Sequence, residues 1–190
     1  KMLEGFSIPA NAVDVVELTL RRGPSYNLDL DVTYGWLLND GTIRDFATGM
    51  NQYITFKDYN NITVNDPYRI VVNHRNHLPI MYDTDINVDQ DKISPASFDL
   101  TQFANIYSAG AVPHGLQGAM FPGNAETTNS PLEVNAFDLW TVGNEAVNGL
   151  GVTGDYDVED INLDGDVNGI DWNITSISND ELYYSTVPLP

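Results

Sequence analysis

The chain contains no cysteine, so neither disulfides nor thiolate metal sites can hold it together. A core must then rely on packing, on oxygen-ligated metal or on assembly. Basic residues are scarce: 8 Lys and Arg stand against 27 Asp and Glu, a formal net charge of -19. That balance excludes a protein whose work is to neutralise phosphates or anionic lipid, so no nucleic-acid or membrane-surface partner is expected. No apolar run approaches the roughly 18 residues of a spanning helix, and no basic segment followed by an apolar one opens the sequence. Membrane insertion is not expected, and an exported form would already have lost its signal. Catalytic signatures are missing too: there is no Gly-x-Ser-x-Gly elbow, phosphate-cradling glycine loop or cysteine nucleophile, and paired acids are too common to inform. The expectation is a non-enzyme.

The acidic excess itself strains a compact fold by self-repulsion unless bound cations offset part of it. Divalent metal is the natural candidate, against the plainer reading of an acidic, soluble surface. At 190 residues the chain can hold one good-sized domain, or a sandwich of about 100 to 130 residues with a small module appended.

Alternation of apolar and polar residues predicts strands over Val13–Leu20 and Leu28–Leu38, with Gly23-Pro24 as the breaker between them. Asn39-Asp40-Gly41 reads as a hairpin turn returning into Thr42–Phe46. Tyr53–Phe56 and Tyr68–Asn73 are further β-rich runs, and Ile80–Leu100 can add one or two more. Many short strands predict a mostly β chain built as an antiparallel β-sandwich, Ig-like or transthyretin-like, over 1–106. Residues 107–150, rich in Gly, Asn, Ala and Pro, read as an irregular connecting or interaction segment, either ordered by a partner or holding short helices that the pattern conceals. A calcium-loop module follows over 151–190. No internal repeat at a fixed period is visible.

The segment that carries chemistry runs Asp-Ile-Asn-Leu-Asp-Gly-Asp-Val-Asn-Gly-Ile-Asp from Asp160 to Asp171. Oxygen side chains fall at the first, third, fifth, ninth and twelfth positions and glycine at the sixth, the spacing that wraps hard oxygen ligands around one Ca2+. Asp160, Asn162 and Asp164 are expected to give side-chain oxygens and Asp166 its carbonyl. Asn168 would coordinate directly or through water, and Asp171 would close the shell before a short helix. Aspartate at the last position, and no amphipathic entering helix, favour a static structural site over a switch.

Other acids are weaker candidates. Asp155, Asp157 and Glu159 could complete the same site, form a second one, or only face solvent, and the alternating acids from Asp83 to Asp91 read as a solvated strand face. His74 and His77 could chelate zinc in principle, with His114 as a distant third. Residues three apart on one strand point to opposite faces, so hydrogen bonding at a strand end is expected of them. Asn61-Ile-Thr and Asn173-Ile-Thr match the glycosylation acceptor pattern.

Tyr68-Arg-Ile-Val-Val-Asn-His-Arg-Asn-His-Leu-Pro-Ile-Met81, with Val15–Leu18 and the Leu37–Ile43 hairpin, resembles a β-sandwich region of large secreted bacterial surface proteins of the haemagglutinin-like kind. There the sandwich is followed by a dockerin type I-like calcium loop, as Asp160–Asp171 and Tyr184–Pro188 would be here. The resemblance implies an extracellular or cell-surface location and a structural or adhesive role, with a surface layer or filament as the setting and self-association or other surface proteins as partners. The competing expectation is a carbohydrate-binding or accessory module of a larger secreted enzyme, with Trp36, Trp140, Trp172 and the ten tyrosines as stacking platforms.

Overall fold

The computed structural model describes residues 8–50, 53–57, 62–63, 66–86, 98–126, 128, 131–148 and 157–189. The described residues are mostly β, with antiparallel sheets and two α-helices, consistent with a β-sandwich. Five strands, β1 (Ala12–Arg22), β2 (Leu28–Leu38), β3 (Ile43–Asp45), β4 (Tyr68–His74) and β5 (His77–Met81), form one sheet in the order β3-β2-β1-β4-β5. β1 takes the centre because both of its faces are covered. Val16, Leu18 and Leu20 fill one face, while Thr19 and Arg21 are buried on the other. The β2–β3 turn is the expected one: Gly41 adopts φ +81 and the Asp40 carboxylate accepts the Thr42 amide at 2.9 Å.

The core face joins Val16, Leu18, Leu20, Tyr68, Ile70, Val72 and Ile80 to Ile62, Ile106 and Ala111, with Ile54, Phe56, Phe103 and Met120 at its margin. The opposing layer includes the hairpin β6 (Val112–His114) and β7 (Gln117–Ala119) and two 3-10 turns at Phe103–Asn105 and Tyr107–Ala109. Ile54 and Phe56 pack against this core, but among the described residues the β-rich run Tyr53–Phe56 pairs with no strand. The part of Ile80–Leu100 from 87 to 97 lies outside the described residues. On the other face Val71, Met81 and Tyr26 meet Val187 of the C-terminal tail. That tail is tied down by Ser185 Oγ donating to the Pro79 carbonyl at 2.7 Å and Thr186 Oγ1 donating to the Tyr107 carbonyl at 2.9 Å.

The stretch expected to be irregular carries structure of its own. Beyond β6 and β7 it forms α1 (Ala136–Asn148), which packs on α2 (Gly169–Asp180). The helix escaped the pattern because its apolar residues do not make one stripe: Val142 is fully buried whereas Phe137 and Trp140 are exposed.

One position tests the close fit of the sheet. A Cβ on Gly35 would stand 2.3 Å from Ile43 Cγ2, 3.1 Å from the Arg44 carbonyl and 3.3 Å from Leu18 Cδ1. Gly35→Ala should therefore cost about 1–3 kcal/mol by overpacking. Urea unfolding checks it, and an unchanged midpoint would contradict the packing described.

Candidate metal centre

Two residues fix the Asp160–Asp171 loop from its ends. The Asp160 carboxylate accepts the amides of Asp164 at 3.1 Å and Gly165 at 3.0 Å, folding the loop over its own first residue. Gly165 permits this with φ +92. The Asp171 carboxylate accepts the amides of Ile161 at 2.9 Å, Asn162 at 3.1 Å and Asn168 at 2.9 Å, so the last residue holds the first turn. Both carboxylates are buried, Asp160 at 3% and Asp171 at 0% exposure. Between them Asn162 Nδ2 donates to Asp164 Oδ2 at 2.9 Å, and Asp164 Oδ1 accepts the Asp166 amide at 3.0 Å.

The donor set has the chemistry that calcium takes, all hard oxygen with no nitrogen or sulfur ligand required. A carboxylate offers about four lone-pair sites. After the bonds above, Asp160 keeps two and Asp171 one, so Asp171 has room for single-oxygen contact and not for a bidentate grip. Asn168 is spent on the helix: its Oδ1 accepts the Ile170 amide at 2.7 Å as the N-cap of α2, and its Nδ2 donates to the Asp166 carbonyl at 3.2 Å. Of the two roles expected of Asn168, a water-bridged one fits better than direct ligation. Among the described residues, no three histidine, aspartate or glutamate side chains gather as a metal cluster. The loop's oxygen set instead combines carboxylates with the Asn162 side chain and the Asp166 main-chain carbonyl.

The same construction recurs at α1. Asn135 Oδ1 accepts the Phe137 amide at 2.8 Å, and Asp138 accepts the amides of Asn135 at 2.9 Å and Glu126 at 2.7 Å. Val134-Asn135-Ala-Phe-Asp138 and Val167-Asn168-Gly-Ile-Asp171 are thus equivalent helix openings. No repeat is visible in the sequence because only Val, Asn and Asp are shared, and the residues preceding Val134 lack the Asp160–Asp166 spacing. Burial pushes the Asp138 carboxyl above its ordinary range, against the amides that pull it down.

Just upstream, Glu159 is raised to about 7 by burial, by its hydrogen bond with Asp157 and by the charges of Asp157 and Glu145. Asp157 is correspondingly lowered. Below about pH 7 Glu159 is the protonated partner of this pair, while Asp155 lies outside the described residues. Asp83 and Asp85 serve Arg69, at 3.5 Å and 3.0 Å. The acids of that run beyond Ile86, and Asn61, lie outside the described residues. Asn173 sits on α2, where Thr175 is buried and its hydroxyl donates to the Asp171 carbonyl at 2.9 Å.

His74 and His77 differ from the expectation of opposite faces. They belong to two strands, paired across the Arg75-Asn76 turn, so their rings meet with Nδ1 atoms 2.9 Å apart. His74 Nε2 bonds Asp14 Oδ2 at 2.8 Å, and Arg75 Nε donates to the same oxygen at 3.0 Å. A register shift between Ala12 and Asp14 aims that carboxylate inward. Burial alone would raise Asp14, but the bonds from His74, the Val15 amide and Arg75 bring it down to about 2. His77 falls to about 3 through burial and its neighbouring His74.

These shifts set an acid limb for the metal-free chain. Asp14 contributes stability that is full above its ordinary 3.8 and lost as pH falls through about 2. His77, depressed from 6.5 to about 3, loses its contribution as pH falls across that interval. Glu159 has the opposite sign: its contribution is full below 4.5 and lost as pH rises through about 7. His77 and Glu159 therefore oppose one another from about pH 6.5 to 4.5, and the net fall should be steepest below about pH 4. Urea midpoints across that range check it. Asp14→Asn should flatten the lower limb, and an undiminished slope would contradict the assignment.

Compared with known proteins, the chain matches no family model, no curated protein and no solved structure.

Proposed function

We propose that the chain is a non-enzymatic, extracellular structural or adhesive module stabilised by calcium, working at a cell surface or in a filament or surface layer. One observation carries the reading: Asp160–Asp171 is folded around its own first and last carboxylates, with hard oxygens at the spacing of a calcium loop and a helix capped directly behind it. Ca2+ would be held by Asp160, Asn162 and Asp164 side chains, the Asp166 carbonyl and one oxygen of Asp171, with Asn168 acting through water. An antiparallel sheet followed by this loop and helix also supports kinship with the dockerin-like C-terminal regions of haemagglutinin-like surface proteins.

Association with copies of itself or with other surface proteins draws its support from the helices. Phe137, Trp140, Ile170 and Ile177 are each more than half exposed. β6, β7 and α1 are ordered within the chain, so residues 107–150 do not depend on a partner for their elements. Sedimentation of the full chain should show a larger species in calcium than in chelator. A monomer at high concentration in both would contradict self-association.

A second reading, a carbohydrate-binding accessory module, is favoured by one observation: Trp140 stands 68% exposed on α1. Trp36 speaks against it, being 1% exposed, stacked on Phe46 and bonded through Nε1 to the Phe46 carbonyl.

A further inference from the structure

Turn residues between two strands usually face water, yet Asn76 is 0% exposed, with its side-chain amide and its main-chain carbonyl engaged inside the protein. Its Nδ2 donates to the Asp160 carbonyl at 2.5 Å, and its own carbonyl accepts the amides of Gly123 at 3.0 Å and Asn124 at 3.1 Å. Because the Asp160 carbonyl can only accept, Nδ2 must face it, and Oδ1 is left toward His77 Nδ1 at 2.7 Å. His77 Nδ1 therefore carries the hydrogen, shared with His74 Nδ1, and the His74 hydrogen sits on Nε2 against Asp14. This chain of bonds fixes the orientation of the Asn76 amide from the sheet side. One side chain thus joins the β4–β5 turn to the first residue of the candidate calcium loop and, through its main chain, to the segment that leads into α1.

We propose that Asn76 is the positioning residue that sets the calcium affinity of the Asp160–Asp171 loop, and that through it metal occupancy reaches the Gly123-Asn124 segment. The inference rests on the calcium reading above. Holding the Asp160 carbonyl fixes the backbone from which the first ligand carboxylate projects, while Asn76 itself lends the ion no atom. Outer-shell partners of this kind typically change metal affinity by about 10- to 100-fold when removed. Coupling is reciprocal for binding equilibria, so calcium must stabilise the contacts made by Asn76 as much as Asn76 strengthens calcium binding.

Calorimetric titration of calcium into the full wild-type chain and into Asn76→Ala is the test, joined to amide hydrogen exchange of the wild type with calcium and with chelator. The expected result is one site in each protein, with a dissociation constant about 10- to 100-fold weaker in the variant, and slower exchange at Gly123 and Asn124 when calcium is added to the wild type. A purely structural role would lower the stability of the variant and leave the dissociation constant of its folded form unchanged. Equal affinity in a folded Asn76→Ala, or exchange at Gly123 and Asn124 indifferent to calcium, would overturn the proposal while leaving the calcium site standing. If Asn76→Ala fails to fold, the exchange measurement decides alone. A wild type that binds no calcium would remove the calcium reading and this inference with it.

Discussion

Replacing Asp14 with alanine should destabilise the chain by about 3–5 kcal/mol, the cost of removing one partner from a buried charged network. Asp14 is 1% exposed and takes three donors: the Val15 amide at 2.7 Å, His74 Nε2 at 2.8 Å and Arg75 Nε at 3.0 Å. Alanine would leave the His74 ring and the Arg75 guanidinium without this acceptor at the base of the β4–β5 turn. For a chain of this size about 1 kcal/mol moves the melting temperature by about 2–4 °C, so a fall on the order of 10 °C is expected. Chemical unfolding of the metal-free protein measures it. A loss under about 1 kcal/mol would mean that water reaches these groups and that the network does not anchor the turn.

The second large effect belongs to Asp171→Ala, which acts through two separable routes. Without metal, the variant loses the carboxylate that accepts the amides of Ile161, Asn162 and Asn168 and completes the capping box of α2. A lost cap costs about 0.5–2 kcal/mol. With calcium at about 100 times its dissociation constant, the wild type gains a further 2.7 kcal/mol or so, which the variant forfeits if it no longer binds. The variant should therefore lie closer to the wild type in chelator than in calcium. Equal gaps under both conditions would leave Asp171 a helix cap alone.

Much of the sheet was legible from alternation, because β1 buries Val16, Leu18 and Leu20 and β4 buries Tyr68, Ile70 and Val72 at every second position and the Asn39–Gly41 turn is explicit, although β2 leaves Leu28 and Val32 exposed. What escaped depends on contacts between distant parts of the chain. β5 begins at His77, immediately after a two-residue turn that lacks glycine, so in the sequence His74 and His77 look like one strand end with its side chains on opposite faces. α1 was hidden because it buries Val142 and Asp138 while exposing Phe137 and Trp140, and its pairing with α2 emerges only in three dimensions. The ends of the Asp160–Asp171 loop were clear from spacing. The assignment of Asn168 to the helix cap was not, since one Asn can serve either purpose and the choice rests on the geometry of Ile170 and Asp166. Asn76 carried no signal at all, as an asparagine in a turn is ordinary until its burial and its bond to Asp160 are seen.

The central claim, that calcium on the Asp160–Asp171 loop stabilises this fold, is tested most directly by thermal unfolding of the full wild-type chain in excess chelator and across a calcium titration. The account predicts a melting temperature that climbs with free calcium, reaching a gain of about 5–10 °C near 100 times the dissociation constant. Asp160→Ala should abolish that climb. A wild-type melting temperature indifferent to calcium across the whole titration would contradict the account.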